Sequence, residues 1–234
     1  MPKMEKKFIE EVVVRGNRYK RVRIKTHLIG FGENLPELIR RHAVPHYQSG
    51  DWIAISEKVV SVCQNNMRHI STVKAGWLAK LIVRGVKKYP NDIGFSRPEK
   101  MQIAVELAGA PRILLAAVLG AIGKLIGIRG IFWRIAGNRV SEIDGFNPDA
   151  IYPYTEYAIL PPQGPEKVCA KIEKATGIPA VIIDGNNINV KIIAMSDGVP
   201  VDAKMAREIL LDNPMGQDDE LTPFILVRKK SSVI

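Results

Sequence analysis

Two aspartates stand where chemistry is plausible. Asp184 ends the apolar run Ala180 to Ile183 and precedes Gly185, and Asp144 follows Ile143 and precedes Gly145. A carboxylate just past a buried strand points into a crevice rather than into the core, and the adjoining glycine lets a ligand approach the backbone. Two such carboxylates meeting in space would offer hard oxygen ligands to Mg²⁺ or Mn²⁺, ions that keep waters and bridge to nucleotide phosphates. Asp-Gly is also a common turn pair, and spacing alone favours the turn for each. The stretch Ser141 to Ala150, SEIDGFNPDA, gathers Glu142, Asp144, Asp149 and Asn147 in a chain otherwise rich in positive charge.

Two further segments could touch an anion. Ser56, Glu57 and Lys58 follow the apolar run Trp52 to Ile55, and a lysine at a strand end can meet a phosphate as a point charge. Taken alone, such a lysine is more often a solvated surface residue. The loop Asn213 to Pro223, NPMGQDDELTP, could wrap a ligand or simply connect two elements. The phosphate patterns G-x-x-x-x-G-K-[ST] and G-x-G-x-x-G are absent, as are H-E-x-x-H and G-x-S-x-G. His27, His42, His46 and His69 are not clustered with acids at metal spacing, and neither are Cys63 and Cys169.

The elements that must position these residues follow from period and punctuation. FIEEVVVRG and YKRVRIKT alternate β-branched and charged residues around Gly16-Asn17, which predicts a hairpin with one wet face. Asn34 caps an expected short helix with Leu35, Leu38 and Ile39 on its apolar side. GDWIAISEKVVSVCQ reads as a buried strand with polar side chains at its end. Residues 76–88, 98–109 and 112–126 read as helices, with Pro98 at a first helical position, and 130–140 as a strand. TEYAILPP is a short strand. GPEKVCAKIEKATG is an amphipathic helix closed by Gly177. IPAVIIDGNNINVKIIAMSDG gives strand, turn, strand; PVDAKMAREILLD a helix; TPFILVRK a last strand. The fold class is therefore α+β. The chain is expected to form one domain over 1–234, with a helical subregion at 76–128 and a weak joint near residue 90.

Bulk composition narrows the partners. The 234 residues are enough to bury a core. The formal charge of +10 favours anionic partners. An aromatic content of 6% argues against a base-stacking, single-strand-binding module. Much of the basic excess lies near the two ends, where solvated strand faces are the simplest reading. The N-terminus has no apolar signal region and the cysteines suggest a reducing compartment, so a cytoplasmic location is expected. Residues 111–131, PRILLAAVLGAIGKLIGIRGI, are strongly apolar, but the stretch Ile113 to Gly123 falls short of the roughly 20 residues that span a bilayer. A buried or interface helix is the favoured reading over a membrane-surface segment.

In their common order, these fragments resemble the coenzyme F420-0:gamma-glutamyl ligase family. KTHLIGFGENLPELI is similar to that family's N-terminal loop and first helix, and GDWIAISEKVVS to its Gly-Asp strand and Lys-Val-Val-Ser segment. EIDGFNPDA with the following LPP and GPEKVCAKIEKATG, AVIIDGN, and MGQDDELTPFILV resemble its remaining segments. The likeness runs from about 25 to 228 and is poor from about 66 to 135. It implies mixed, largely antiparallel sheets with packed helices in an intertwined homodimer. It also implies a GTP- and divalent-metal-dependent enzyme that joins L-glutamate to a deazaflavin precursor through an acyl phosphate. Asp144 and Asp184 would be the metal ligands, with Lys58 as a further catalytic charge. Thr26, His27, Leu28, Ile29, Glu57, Lys58, Asn147, Met215, Gly216 and Gln217 would bind the nucleotide. The chain departs from the family pattern at Val62, where a lysine is usual, at Gly185, where threonine is usual, and at Asn187-Ile188, where Gly-Arg is usual.

Two other readings compete. One is a ligase-like nucleotide-binding protein with a different acceptor or no catalysis. The other is a basic module that binds RNA or a membrane surface. Nucleic acid is not an expected partner, and lipid contact by 111–131 is the lesser alternative.

Overall fold

The computed structural model describes residues 8–86, 95–148, 150–185, 189–216 and 220–230. The chain divides into two units, one of Met1–Asn65 with Pro162–Ile234 and one of Asn66–Pro161. The divisions fall at Asn65/Asn66 and Pro161/Pro162 rather than near residue 90; 87–94 lie outside the described residues.

The first unit is built on a six-stranded mixed sheet. β1 (Glu11–Val14) and β2 (Asn17–Ile24) form the expected hairpin, with Val14 opposite Asn17. Its two turn residues, Arg15 and Gly16, have φ of 48° and 76°, the left-handed pair that a right-twisted two-residue hairpin requires. β9 (Phe224–Lys229) inserts between β2 and β3 (Trp52–Ser56), antiparallel to both. β3 runs parallel to β7 (Ala180–Gly185), which pairs antiparallel with β8 (Val190–Met195). Alternate residues divide the sheet's two faces. Trp52, Ala54, Val181, Ile183, Ile225 and Val227 pack with Ala206 and Ile209 of α9 (Ala203–Ile209). Ile53, Ile55, Ile182, Phe224 and Leu226 fill the opposite face and are equally buried.

Three further α-helices join α9 among the described residues of this unit. Asn34 Oδ1 accepts the Glu37 N–H and caps α1 (Leu35–His42), whose Leu35, Leu38 and Ile39 are buried as their spacing predicts. α8 (Pro165–Thr176) ends at Gly177 with φ of 74°, the left-handed closure that glycine supplies. The run Val59 to Cys63 does not prolong the strand before it. It forms α2 (Glu57–Cys63), entered directly from Ser56.

The hairpin has the expected wet face, where Glu11 registers with Lys20 and the exposed Val13 with the exposed Arg18, but not every charge lies on it. Arg21 is fully buried. Its guanidinium binds both carboxylate oxygens of Asp212 and donates to the carbonyls of Ile209 and Ile9. At the other end of the chain, Arg228 holds the buried Asp51 through two bonds of 2.8 and 2.7 Å. Part of the terminal basic excess is thus internal structure rather than solvated surface.

The second unit carries a small antiparallel sheet of β4 (Met67–His69), β6 (Tyr157–Ile159) and β5 (Asp144–Gly145), in that order. Around it lie α3 (Trp77–Val83), α4 (Pro98–Ala108) and α5 (Ala110–Leu125). The stretch expected as a strand at 130–140 is instead α6 (Ile131–Ala136) followed by α7 (Asn138–Ser141). Ile, Phe and Trp favour strands locally, but packing overrides that preference. A Cβ added to Gly120 of α5 would lie 3.1 Å from Phe132 Cβ, and one added to Gly123 would lie 2.3 Å from Ile131 Cδ1. Two glycines on α5 therefore admit α6 at close range. The core of this unit includes Met101, Ile103, Ile113, Ala116, Ile143 and Phe146.

Among the described residues, no single helix is long and apolar enough to cross a membrane; α4 and α5 pass that test only as a pair, and they are bent by 117° at their junction. Of the two expected readings of α5, buried or interface helix, the first does not hold within its own unit. The helix buries Ile113, Ala116 and Gly123 and exposes most of its large apolar side chains.

Candidate functional site

The first unit's sheet collects most of the sequence-predicted residues at one end. Ile24 at the end of β2 and Ile55 near the end of β3 both register with Phe224, the first residue of β9. Ser56, the last residue of β3, registers with Ile183 of β7. The segments beginning at Thr26 and Glu57 therefore leave the sheet at the same end of its strands, where the 220–223 segment enters and where β7 runs on through Asp184 to Gly185. Neighbouring strands lie about 4.8 Å apart, so Glu57-Lys58 and Asp184-Gly185 continue from adjacent parallel strands. Backbone bonds tie the edge together: Thr26 N–H donates to Leu221 O at 2.9 Å, and Ser56 N–H to Pro223 O at 3.0 Å.

Two loops rise from this edge. The first, 26–34, has Thr26 and Ile29 buried and His27 and Leu28 exposed. His27 Nε2 meets Glu33 Oε2 at 3.0 Å, and the Glu33 carboxylate also accepts the Gly30 N–H. Burial works to raise the Glu33 pKa, but the Gly30 N–H and His27 outweigh it and hold the carboxyl below its ordinary range. Gly32 N–H donates to Val62 O at 3.1 Å and anchors this loop to α2. The second loop lies between α9 and β9. Asn213 Nδ2 donates to Gly216 O at 3.1 Å, Thr222 Oγ1 to Met215 O at 2.6 Å, and Arg23 Nε to Pro214 O at 2.5 Å. Desolvation lowers the Arg23 pKa. Met215 is buried and Gly216 half-buried; Gln217 lies outside the described residues.

Glu57 is buried, Lys58 is exposed and Asp184 is half-buried. The loop 213–216 closes against the residue after Asp184, because a Cβ on Gly185 would stand 2.6 Å from Asn213 Oδ1. Glycine at 185 is thus required by Asn213 as the chain now packs. Val62, in α2, is buried, so this position contributes packing rather than charge.

Asp144 and Asn147 belong to the second unit. Asp144 lies in β5 opposite Ile159 and is half-buried, as is Asn147. Under the next residue sits a lysine that spacing did not single out: Lys100 of α4 is 5% exposed. A Cβ on Gly145 would lie 3.2 Å from Lys100 Cδ, and Lys100 Nζ stands 4.6 Å from the centroid of the Phe95 ring. In sequence Lys100 is one of a Pro-Glu-Lys trio that opens a helix, and nothing local marks it as internal.

A cavity of about 300 Å³ opens elsewhere in the first unit, among Glu33, Asn34, Val60, Cys63, Gln64 and Lys171. None of the predicted site residues lines it. Burial, followed by the Glu33 charge, pushes the Cys63 thiol up to about 12, which removes it as a nucleophile near neutral pH. Behind the first loop, His42 lies 5.4 Å from His27, ring centroid to centroid. Burial, then His27 and Arg41, lower its pKa.

Among the described residues, no group of three or more His, Cys, Asp or Glu side chains is placed to hold a metal ion. Asp184 in the first unit and Asp144 in the second are each a single carboxylate; a magnesium-like ion takes one or two carboxylates and completes its shell with water and phosphate.

Fold and edge together define an α+β protein with a polar candidate site at its strand ends. The family model for F420-0:gamma-glutamyl ligase matches residues 23–184, more than half of the chain, and the chain belongs to that family. It is thereby a member of a ligase family of coenzyme biosynthesis. The matched span takes in Thr26 to Ile29, Glu57, Lys58, Asp144, Asn147 and Asp184, and ends before the loop at Met215. No curated protein matches the sequence significantly.

Proposed function

We propose that the protein is a nucleotide- and divalent-metal-dependent amide ligase that joins L-glutamate to a deazaflavin-like carboxylic acid. The observation that carries this reading is the convergence of the 26–29 loop, Glu57-Lys58, Asp184-Gly185 and the 213–216 loop on one sheet edge in a chain of this family.

The reaction runs in two displacements. The acceptor carboxylate oxygen attacks the γ-phosphorus of GTP, and GDP leaves. The glutamate nitrogen then attacks the acyl carbon, phosphate leaves, and the amine gives up a proton. Phosphoryl transfer asks the protein mostly for positioning and charge compensation. Lys58, exposed at the edge, supplies a positive charge to the phosphates. The backbone of 26–29 and of Met215-Gly216 encloses the nucleotide from two sides. By family resemblance Asp184 and Asp144 would hold Mg²⁺ or Mn²⁺, which when bound would neutralise phosphate charge as a Lewis acid. Asn147 adds a side-chain amide for the nucleotide. By family resemblance the working form is a homodimer.

Thermal melting with GTP, with Mn²⁺ and with both tests this reading. A ligand that binds only the folded state raises the melting point by mass action. The expected result is a larger shift for the pair than the sum of the two separate shifts, lost in Asp184→Asn. A shift that Asp184→Asn retains in full removes Asp184 from the site. Synergistic binding without glutamate transfer to a deazaflavin acid would assign the chain to the non-catalytic alternative.

A further inference from the structure

Helix α5 presents a face that its own unit does not cover. At about 100° per residue, Leu114, Leu115, Val118, Leu119, Ile122 and Leu125 fall on one continuous arc. All six are exposed, from 38% at Leu119 to 87% at Leu125. The opposite arc, with Ile113, Ala116 and Gly123, is buried. Apolar surface continues beyond the helix through Ile126, Ile128 and Trp133, which are also exposed. A helix apolar on all sides belongs in a large core or against lipid, and here the core takes only one side.

Charge identifies the occupant. On the helical wheel Arg112 borders one edge of the arc and Lys124 the other, and both are exposed. Arg112 also donates from Nε to the Ile135 carbonyl at 2.6 Å. Arg129 and Arg134 follow, exposed as well. From Leu107 to Ser141 the sequence contains Arg112, Lys124, Arg129, Arg134 and Arg139 but no acid. A second copy related by a two-fold would present the same patch, so the segment would bring cations toward cations with no acid of its own to answer them. An anionic bilayer surface answers them directly. Flanking lysine and arginine stems extend along apolar surface while their heads stay among the phosphates, and an exposed tryptophan suits the headgroup level.

We propose that the exposed α5 face, with Lys124, Arg129 and Arg134, docks the protein on an anionic lipid surface. The helix lies along the surface rather than across it: its 16 residues span roughly 24 Å, short of the ~30 Å hydrocarbon core.

The test is co-sedimentation of the full-length protein with vesicles of phosphatidylcholine alone or mixed with phosphatidylglycerol. Binding is expected on the anionic vesicles, weakened by salt, and much lower on neutral ones. The Val118→Asp/Ile122→Asp double variant should lose it while keeping the parent circular dichroism, since both side chains are exposed. Lys124→Glu/Arg129→Glu leaves the apolar arc intact and should weaken binding at least about five-fold per cation; this pair decides the matter if the first variant fails to fold. Absence of binding to anionic vesicles overturns the proposal, as does binding indifferent to the Lys124/Arg129 pair. A parent that ignores vesicles but is dimeric by light scattering, and monomeric as Val118→Asp/Ile122→Asp, would assign the face to a second copy. Ligase turnover enters none of these readouts.

Discussion

The edge of the sheet is tight where Gly185 meets Asn213. The family's usual threonine cannot stand at 185 without displacing an amide only 2.6 Å from its Cβ. That amide is not free to swing, because Asn213 Nδ2 holds Gly216 O, and the residue is itself 7% exposed with φ of 51°. Inserting atoms into such a place costs about 1–3 kcal/mol. Gly185→Thr should therefore lower the urea midpoint by that equivalent, and the same substitution on an Asn213→Gly background should cost much less. Equal losses on both backgrounds would show that the contact is not what excludes a side chain. The departure at 185 is visible in the sequence, but its partner, 28 positions later, is not. Lys100 is hidden for a similar reason: the Phe95 ring and the Gly145 backbone that surround it arrive from separate segments.

At the scale of elements, the strands of the larger sheet were legible and the burial of single charges on them was not. Trp52 to Ile55 and Ala180 to Ile183 read as strands because central strands, covered on both faces, appear as unbroken apolar runs. Val59 to Cys63 is also an apolar run, and its β-branched residues conceal the helical period of α2. Asp184, read as lying just past its strand, is the last residue but one of β7 and registers with Lys191 of β8. Alternation in β2, however, made Arg21 a solvent residue, when the connection between α9 and β9 closes over it. Arg21 lies 191 positions from its partner Asp212, a separation no local pattern bridges. This arginine and Arg23 fasten the 209–216 segment to the sheet, and that segment carries Met215 and Gly216. Removing one partner of a buried ion pair costs about 3–5 kcal/mol. Asp212 is 35% exposed and can rehydrate, so Arg21→Met should cost about 3 kcal/mol in urea melts. If the loop encloses the nucleotide, the KM for GTP should rise more than kcat falls. A stability loss with an unchanged KM would detach the loop from nucleotide binding.

For the whole molecule, the decisive fact is that the two aspartates of the family pattern belong to different units of the chain. Sequence order suggests one domain with a helical subregion, because the Pro- and Gly-rich stretch Pro161–Pro165, where the chain returns to the first unit, reads as the end of a strand and the start of a helix. Whether Asp144 and Asp184 serve one ion is a thermodynamic question that can be put to the intact protein. Sites that share no partner contribute additively to within about 0.3–0.5 kcal/mol, and sites on one ligand do not. The quantity to compare is the Mn²⁺-dependent part of the stabilisation by GTP, measured for the parent, Asp144→Asn, Asp184→Asn and the double variant. A shared cation predicts that either single substitution removes most of that stabilisation and that the second adds little. Independent roles predict losses that sum. A full Mn²⁺ response in Asp144→Asn would leave Asp184 to act without it, and the metal proposal would then rest on the first unit alone.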